Sequence, residues 1–189
     1  MTMYEYQDHR FIIDDEEITF SEELDTDKHM IETKREDGTL LSRSAYKDGA
    51  LHGPSTFYFR NGQIASEKWF VHGRAHGRAL DFAPDATLVS HRRYKDGLLS
   101  GPFQKWRDNG KPLFSATFEN GLAQGKIELL AKDGYALRTT HFSRGRRHGT
   151  DTGWTDDGYL LFCECWTEGQ RTQAPLEDIF MRCLFPKKK

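Results

Sequence analysis

Glycine recurs every 24 residues in this chain, in three separate columns, and few folds satisfy that constraint. The first column is Gly49, Gly73, Gly97, Gly121, Gly145 and Gly169. Four residues after each of the first five stands Gly53, Gly77, Gly101, Gly125 or Gly149. The third column is Gly38, Gly62, Gly110, Gly134 and Gly158, interrupted only by Ala86. Together the columns hold sixteen of the seventeen glycines, which identifies a repeat array.

Aromatic and aliphatic columns keep the same register. Tyr46, Phe70, Tyr94, Phe118, Phe142 and Trp166 each precede a leading glycine by three residues. A second column reads Tyr58, Phe82, Trp106, Leu130 and Trp154, and a third reads Leu41, Ala65, Val89, Leu113, Leu137 and Leu161.

One unit reads as a β-hairpin. Asp37-Gly38, Asn61-Gly62, Asn109-Gly110, Asp133-Gly134 and Asp157-Gly158 have the spelling of tight two-residue turns, which need positive φ. The flanking segments 54–60 and 63–70 have strand length and strand composition. The Gly-x-x-x-Gly stretch is then expected to turn the chain into the next hairpin. Pro84-Asp85-Ala86-Thr87 lacks the glycine, so a distorted or wider turn is expected there. The Val89 and Tyr94 columns are five residues apart, which calls for a bulge between them.

A lone hairpin is marginal in water, so each unit must share a core with its neighbours. Two strands per unit advance the array by roughly 10 Å, giving a sheet about 50–60 Å long. The expected fold is all-β: one elongated antiparallel sheet of consecutive 24-residue hairpins, closed by a short C-terminal helical cap.

Tyr46-Lys-Asp-Gly-Ala-Leu-His-Gly53, Tyr94-Lys-Asp-Gly-Leu-Leu-Ser-Gly101 and Tyr58-Phe-Arg-Asn-Gly62 resemble MORN repeats. The spacing is closer to the bacterial variant than to the shorter eukaryotic form, and the resemblance covers about residues 31–172. It implies a protein-binding surface, because such repeats generally serve as one, and many bacterial members are antitoxin components.

The chain divides into an acidic N-terminal cap (1–30), the repeat array (31–172) and a C-terminal capping helix with a basic tail (173–189). The cap holds ten acids against Arg10 and Lys28, a charge of −8 inside an overall −2. It reads either as a solvated guard for the first strand or as an acidic surface for a basic partner. In the C-terminal segment, Leu176, Ile179, Phe180 and Leu184 have helical spacing. Lys187, Lys188 and Lys189 read as a solubilising tail.

Charged residues make up 30% of the chain, no apolar run approaches a membrane span, and the N-terminus has no signal-peptide pattern. Three cysteines cannot all pair within one chain, so a cytoplasmic location is expected.

The candidate chemistry points to binding. His52, His76 and His148 share a column but stand about 10 Å or more apart, too far for one metal ion, and read as turn residues. Cys163 and Cys165 alternate along a strand and read as structural. No catalytic, metal or cofactor site is expected. Side chains vary where the repeat does not dictate them: Phe57, Asp81, Lys105, Leu129 and Gly153 share one column, and Trp69, Arg93, Thr117 and His141 another. Phe59 and Arg107 share a third. Exposed aromatics with cations are favoured anchors, so Phe57, Phe59, Trp69, Arg93, Lys105 and Arg107 are the expected partner-binding residues, on one face. The alternative is that some of them pack under the N-terminal segment. The function these readings imply is neutralisation of a toxin by direct binding, as an antitoxin or immunity protein. The alternative is a scaffold using the same surface for assembly.

Overall fold

The computed structural model describes residues 11–13, 16–18 and 29–172. The helix expected over 176–185 lies outside the described residues, as does most of the acidic cap. Within the cap, β1 (Phe11–Ile13) and β2 (Glu16–Ile18) form a separate two-stranded antiparallel sheet.

Everything else described is one thirteen-stranded antiparallel sheet in which each strand pairs with the next in sequence. It begins with β3 (His29–Lys34), β4 (Leu40–Lys47), β5 (Ala50–Tyr58), β6 (Ile64–Val71) and β7 (Arg74–Phe82). It continues through β8 (Leu88–Lys95), β9 (Leu98–Trp106), β10 (Pro112–Glu119) and β11 (Leu122–Leu130). The last strands are β12 (Ala136–Ser143), β13 (Arg146–Trp154), β14 (Leu160–Thr167) and β15 (Gln170–Thr172). Twelve spacings of about 4.8 Å carry the sheet about 58 Å from edge to edge.

The turns differ from the expectation. The two-residue turn lies at the leading glycine, between β4 and β5, where Asp48 (φ 51°) and Gly49 (φ 73°) both take the left-handed conformation. The same pair recurs at His72-Gly73, Asp96-Gly97, Asn120-Gly121, Arg144-Gly145 and Glu168-Gly169. The Asx-Gly spelling instead marks a longer loop. The Phe59 and Gln63 main chains pair (2.8 Å), the Gly62 amide donates to the Phe59 carbonyl (3.0 Å), and Gly62 alone has positive φ. That is a type I turn closed by one left-handed residue. The asparagine serves a different purpose there, because its Oδ1 accepts the Gln63 N–H (3.0 Å). Strands therefore begin earlier than expected: β5 starts at Ala50, and Gly53 lies inside it at φ 104°.

Both irregularities in strand pairing follow the sequence columns. Ser90 pairs with Asp81 and Leu88 with Phe82, which leaves Val89 as an extra residue. The extra residue is Leu41, Ala65, Leu113, Leu137 and Leu161 in the other repeats, so one bulge sits on the aliphatic column itself, and the other irregularity falls between it and the aromatic column. The second irregularity surrounds the second glycine. Ser44 pairs with Ser55 and Tyr46 with Leu51, so residues 52–54 span the place of Ala45 alone. A Cβ on Gly53 would stand 3.1 Å from the Ala45 Cβ, which adds a steric demand to the positive φ.

Ala86 gives no distorted turn. It adopts φ 67°, and the Ala83–Thr87 pairing (2.8 Å) matches the glycine-bearing turns. The surrounding hairpin holds an alanine in a conformation that disfavours a Cβ by about 1–2 kcal/mol. Substitution Ala86→Gly should therefore stabilise the array, after the entropy that glycine adds to the unfolded chain, by about 0.5–1 kcal/mol. Thermal unfolding should show a Tm about 2–3 °C higher. A lower Tm would mean that this turn is unstrained.

Candidate binding surface

Strand alternation and register divide the side chains between two faces. One carries the ladder Tyr46, Phe70, Tyr94, Phe118, Phe142 and Trp166, with Ser55, Ala79, Phe103 and Asp151 beside it. The opposite face carries Arg43, Ala45, Glu67, Trp69, Arg93 and the second aromatic column.

The six expected binding residues do not assemble on one face. Phe57 and Lys105 lie on the ladder face, four strands apart. Phe57 is 48% exposed because its cross-strand partners are Ser42 and Ser66, too short to cover a ring. Lys105 is also exposed, with its ammonium 5.5 Å from the Phe103 ring centroid. Trp69 and Arg93 belong to the opposite face. The expectation of a solvent-facing Trp69 is corrected: it is 6% exposed, and its indole N–H donates to Glu67 Oε1 (3.2 Å).

Phe59 and Arg107 belong to the turns. Phe59 is the half-buried first residue of its loop. The Arg107 guanidinium donates to the Leu130 carbonyl 2.6 Å away, one repeat on, as Arg35 does to the Tyr58 carbonyl. Arg107 therefore ties neighbouring units together.

The histidine column does the same at the other edge. His76 Nδ1 accepts the Asp96 amide (3.4 Å) and His52 Nδ1 the His72 amide (3.5 Å). Gln124 serves in their place for Arg144, at 2.8 Å. Each of these donors is the left-handed first residue of the next two-residue turn.

The ladder face also holds cations that the sequence columns did not single out. Lys68 places its ammonium 5.4 Å from the Phe70 centroid and 4.6 Å from that of Tyr94. Arg92 pairs with Asp81 and lies 6.0 Å from the Phe103 centroid. Arg147 lies 4.7 Å from the Trp166 ring. Cations stacked on rings are favourable, the more so where water is partly excluded. The signal that would have found them is strand parity: residues 66, 68 and 70 must share the face of the ladder.

The ladder face contains one fully buried carboxylate. Asp151 is 0% exposed and accepts two bonds from Arg138 (3.0 and 2.8 Å) and one from the Thr140 hydroxyl (2.9 Å). Arg147 stands 3.3 Å away. Burial pushes the Asp151 carboxyl up, but the bonds from Arg138 and Thr140 and the charges of both arginines outweigh it. The net result holds the group below the ordinary carboxylate range.

Among the described residues, no three His, Cys, Asp or Glu side chains are grouped to hold a metal ion. Cys163 is engaged in a disulfide, while Cys165 is a free, half-buried thiol. Compared with known proteins, the chain matches no family model and no curated protein.

Asp151 yields a stability prediction. A depressed carboxyl stabilises the fold above the unfolded value of about pH 4 and loses that contribution as pH falls through the folded value. Asp151→Ala should cost about 2–3 kcal/mol at pH 7, below the 3–5 kcal/mol of a fully buried pair because both arginines are partly exposed. Urea unfolding at pH 7 and pH 3 checks this: the difference between the two proteins should shrink at the lower pH. An equal difference at both would contradict an ionised, stabilising Asp151.

Proposed function

We propose that this protein is a binding module that neutralises a protein toxin by covering it with the ladder face of its sheet, as an antitoxin or immunity protein. The observation that carries the binding half is the row of rings and cations on that face: Lys68 between Phe70 and Tyr94, Lys105 over Phe103, and the exposed ring of Phe57. Aromatic and cationic side chains on a preformed surface anchor protein partners with little ordering cost. The toxin half rests on the likeness of the repeat to bacterial MORN repeats. The cytoplasmic location belongs to the same reading.

The test is growth rescue. The product of the gene next to its own should arrest growth when expressed alone and be tolerated when this chain is present. Phe57→Ala with Lys105→Glu should remove protection and weaken the complex at least thirtyfold, about 2 kcal/mol, while Tm changes by only a few degrees. No arrest would leave the scaffold reading in place. Full protection by the double variant would exclude the ladder face.

A further inference from the structure

Two buried polar atoms on the ladder face have no partner among the described residues. Ser90 is 4% exposed, and its hydroxyl makes no hydrogen bond. Two residues on along β8, the Arg92 Nε is buried and unpaired as well. Buried polar atoms are ordinarily satisfied in folded proteins, so two orphans on one strand face mark a place built for a further group. Arg138, farther along the same face, makes the complete form of the contact. It turns one side of its guanidinium on Asp151, with Nε 3.0 Å from one oxygen and Nη2 2.8 Å from the other. Arg92 gives Nη2 to Asp81 and leaves Nε without an acceptor.

The surroundings decide which chemistry fits. Ser90 pairs across the strands with Asp81 on one side and Lys105 on the other, with Cβ atoms about 5 Å apart in such pairs. Lys105 is exposed, its ammonium 5.5 Å from the Phe103 ring centroid, and Lys68 stands across Ala79 from Arg92. The strand carboxylates of this face are already bonded: Asp81 to Arg92, Asp151 to Arg138 and Glu164 to Arg171. Around the two orphans, Lys68, Arg92 and Lys105 therefore outweigh Asp81, and that balance favours an anion over a cation.

We propose that Ser90, Arg92 and Lys105 form a seat for a carboxylate of the bound partner, an Asp or Glu side chain presented to the ladder face. The carboxylate draws the flexible Lys105 off the Phe103 ring, and its oxygens accept from the Arg92 Nε and the Ser90 hydroxyl. Bonds to an ionised acceptor are the strong class. The arrangement trades stability for binding, because an unsatisfied buried hydroxyl destabilises the free protein. The inference rests on the reading of the ladder face as the binding face, and it adds that the partner is acidic where it meets β8 and β9.

End-blocked hexaglutamate is the probe, titrated into the full chain at low salt and followed through backbone amide NMR shifts. The shifts should saturate and concentrate at Ser90, Arg92, Phe103 and Lys105. Ser90→Ala should weaken binding about fivefold and yet raise Tm by about 2–4 °C, because the orphan is gone. Lys105→Gln should weaken it at least fivefold, while Lys132→Gln, the same loss of charge on an exposed loop, should leave it unchanged. Equal losses in the two lysine variants would reduce the effect to bulk charge and overturn the proposal. So would undiminished binding or a lower Tm in Ser90→Ala, equal shifts with blocked hexaglutamine, or inorganic phosphate bound more tightly than the peptide. Failed titrations beside a growth rescue that still depends on Phe57 would strike the carboxylate seat alone. Titrations that succeed beside no rescue would support the seat and strike the neutralisation reading alone.

Discussion

Left-handed backbone conformation, required at fixed points in every 24 residues, is the constraint on which the rest of this structure depends. All sixteen columnar glycines have positive φ, and Gly153, the one outside the columns, does not. The first residue of each two-residue turn is also left-handed, and Asp48, Asp96 and Asn120 are among the types that tolerate it best. These points fix where each strand stops and how it bends. A polar chain can then stack hairpin on hairpin into one thirteen-stranded sheet.

The turns also bind the repeats to one another. The amide of each leading glycine after Gly49 donates to a carbonyl of the preceding unit: Gly73 to Leu51, Gly97 to Ala75, Gly121 to Leu99, Gly145 to Ala123 and Gly169 to Arg147, at 2.7–2.9 Å. His52, His76 and Gln124 repeat the tie one residue earlier along that edge, while Arg35 and Arg107 make it along the other. Stability in such an array is a sum of neighbour terms. The middles of the strands are therefore freer to vary, and there the two faces diverge. One carries stacked rings and cations around a buried Asp151, and the other carries Trp69 among arginines.

The 24-residue period, the single antiparallel sheet and the ladder were legible because each repeats six times in register. The turn types were not. Asn-Gly and Asp-Gly suit both a two-residue turn and the end of a type I loop, and the neighbouring pairing that separates them cannot be seen in one hairpin's spelling. Ala86 appeared to be a defect because propensity was weighed without the hairpin that holds it. The site was less legible than the fold. Column variation found the exposed Phe57 and Lys105, but it treated Trp69 and Arg107 alike because it carried no parity. The two bulges make parity hard to follow: one flips the strand and the other preserves it.

Amide hydrogen exchange at the leading glycines tests the account most directly. Turn amides ordinarily exchange quickly, whereas an amide bonded to the neighbouring repeat exchanges only when the two units part. Gly97 and Gly121, deep in the array, should be protected to the same degree as the strand amides of β8 and β9. Gly38 and Gly62, whose amides close only their own loops, should exchange faster. Exchange at Gly97 and Gly121 as fast as at Gly62 would contradict the claim that the turns hold the repeats together.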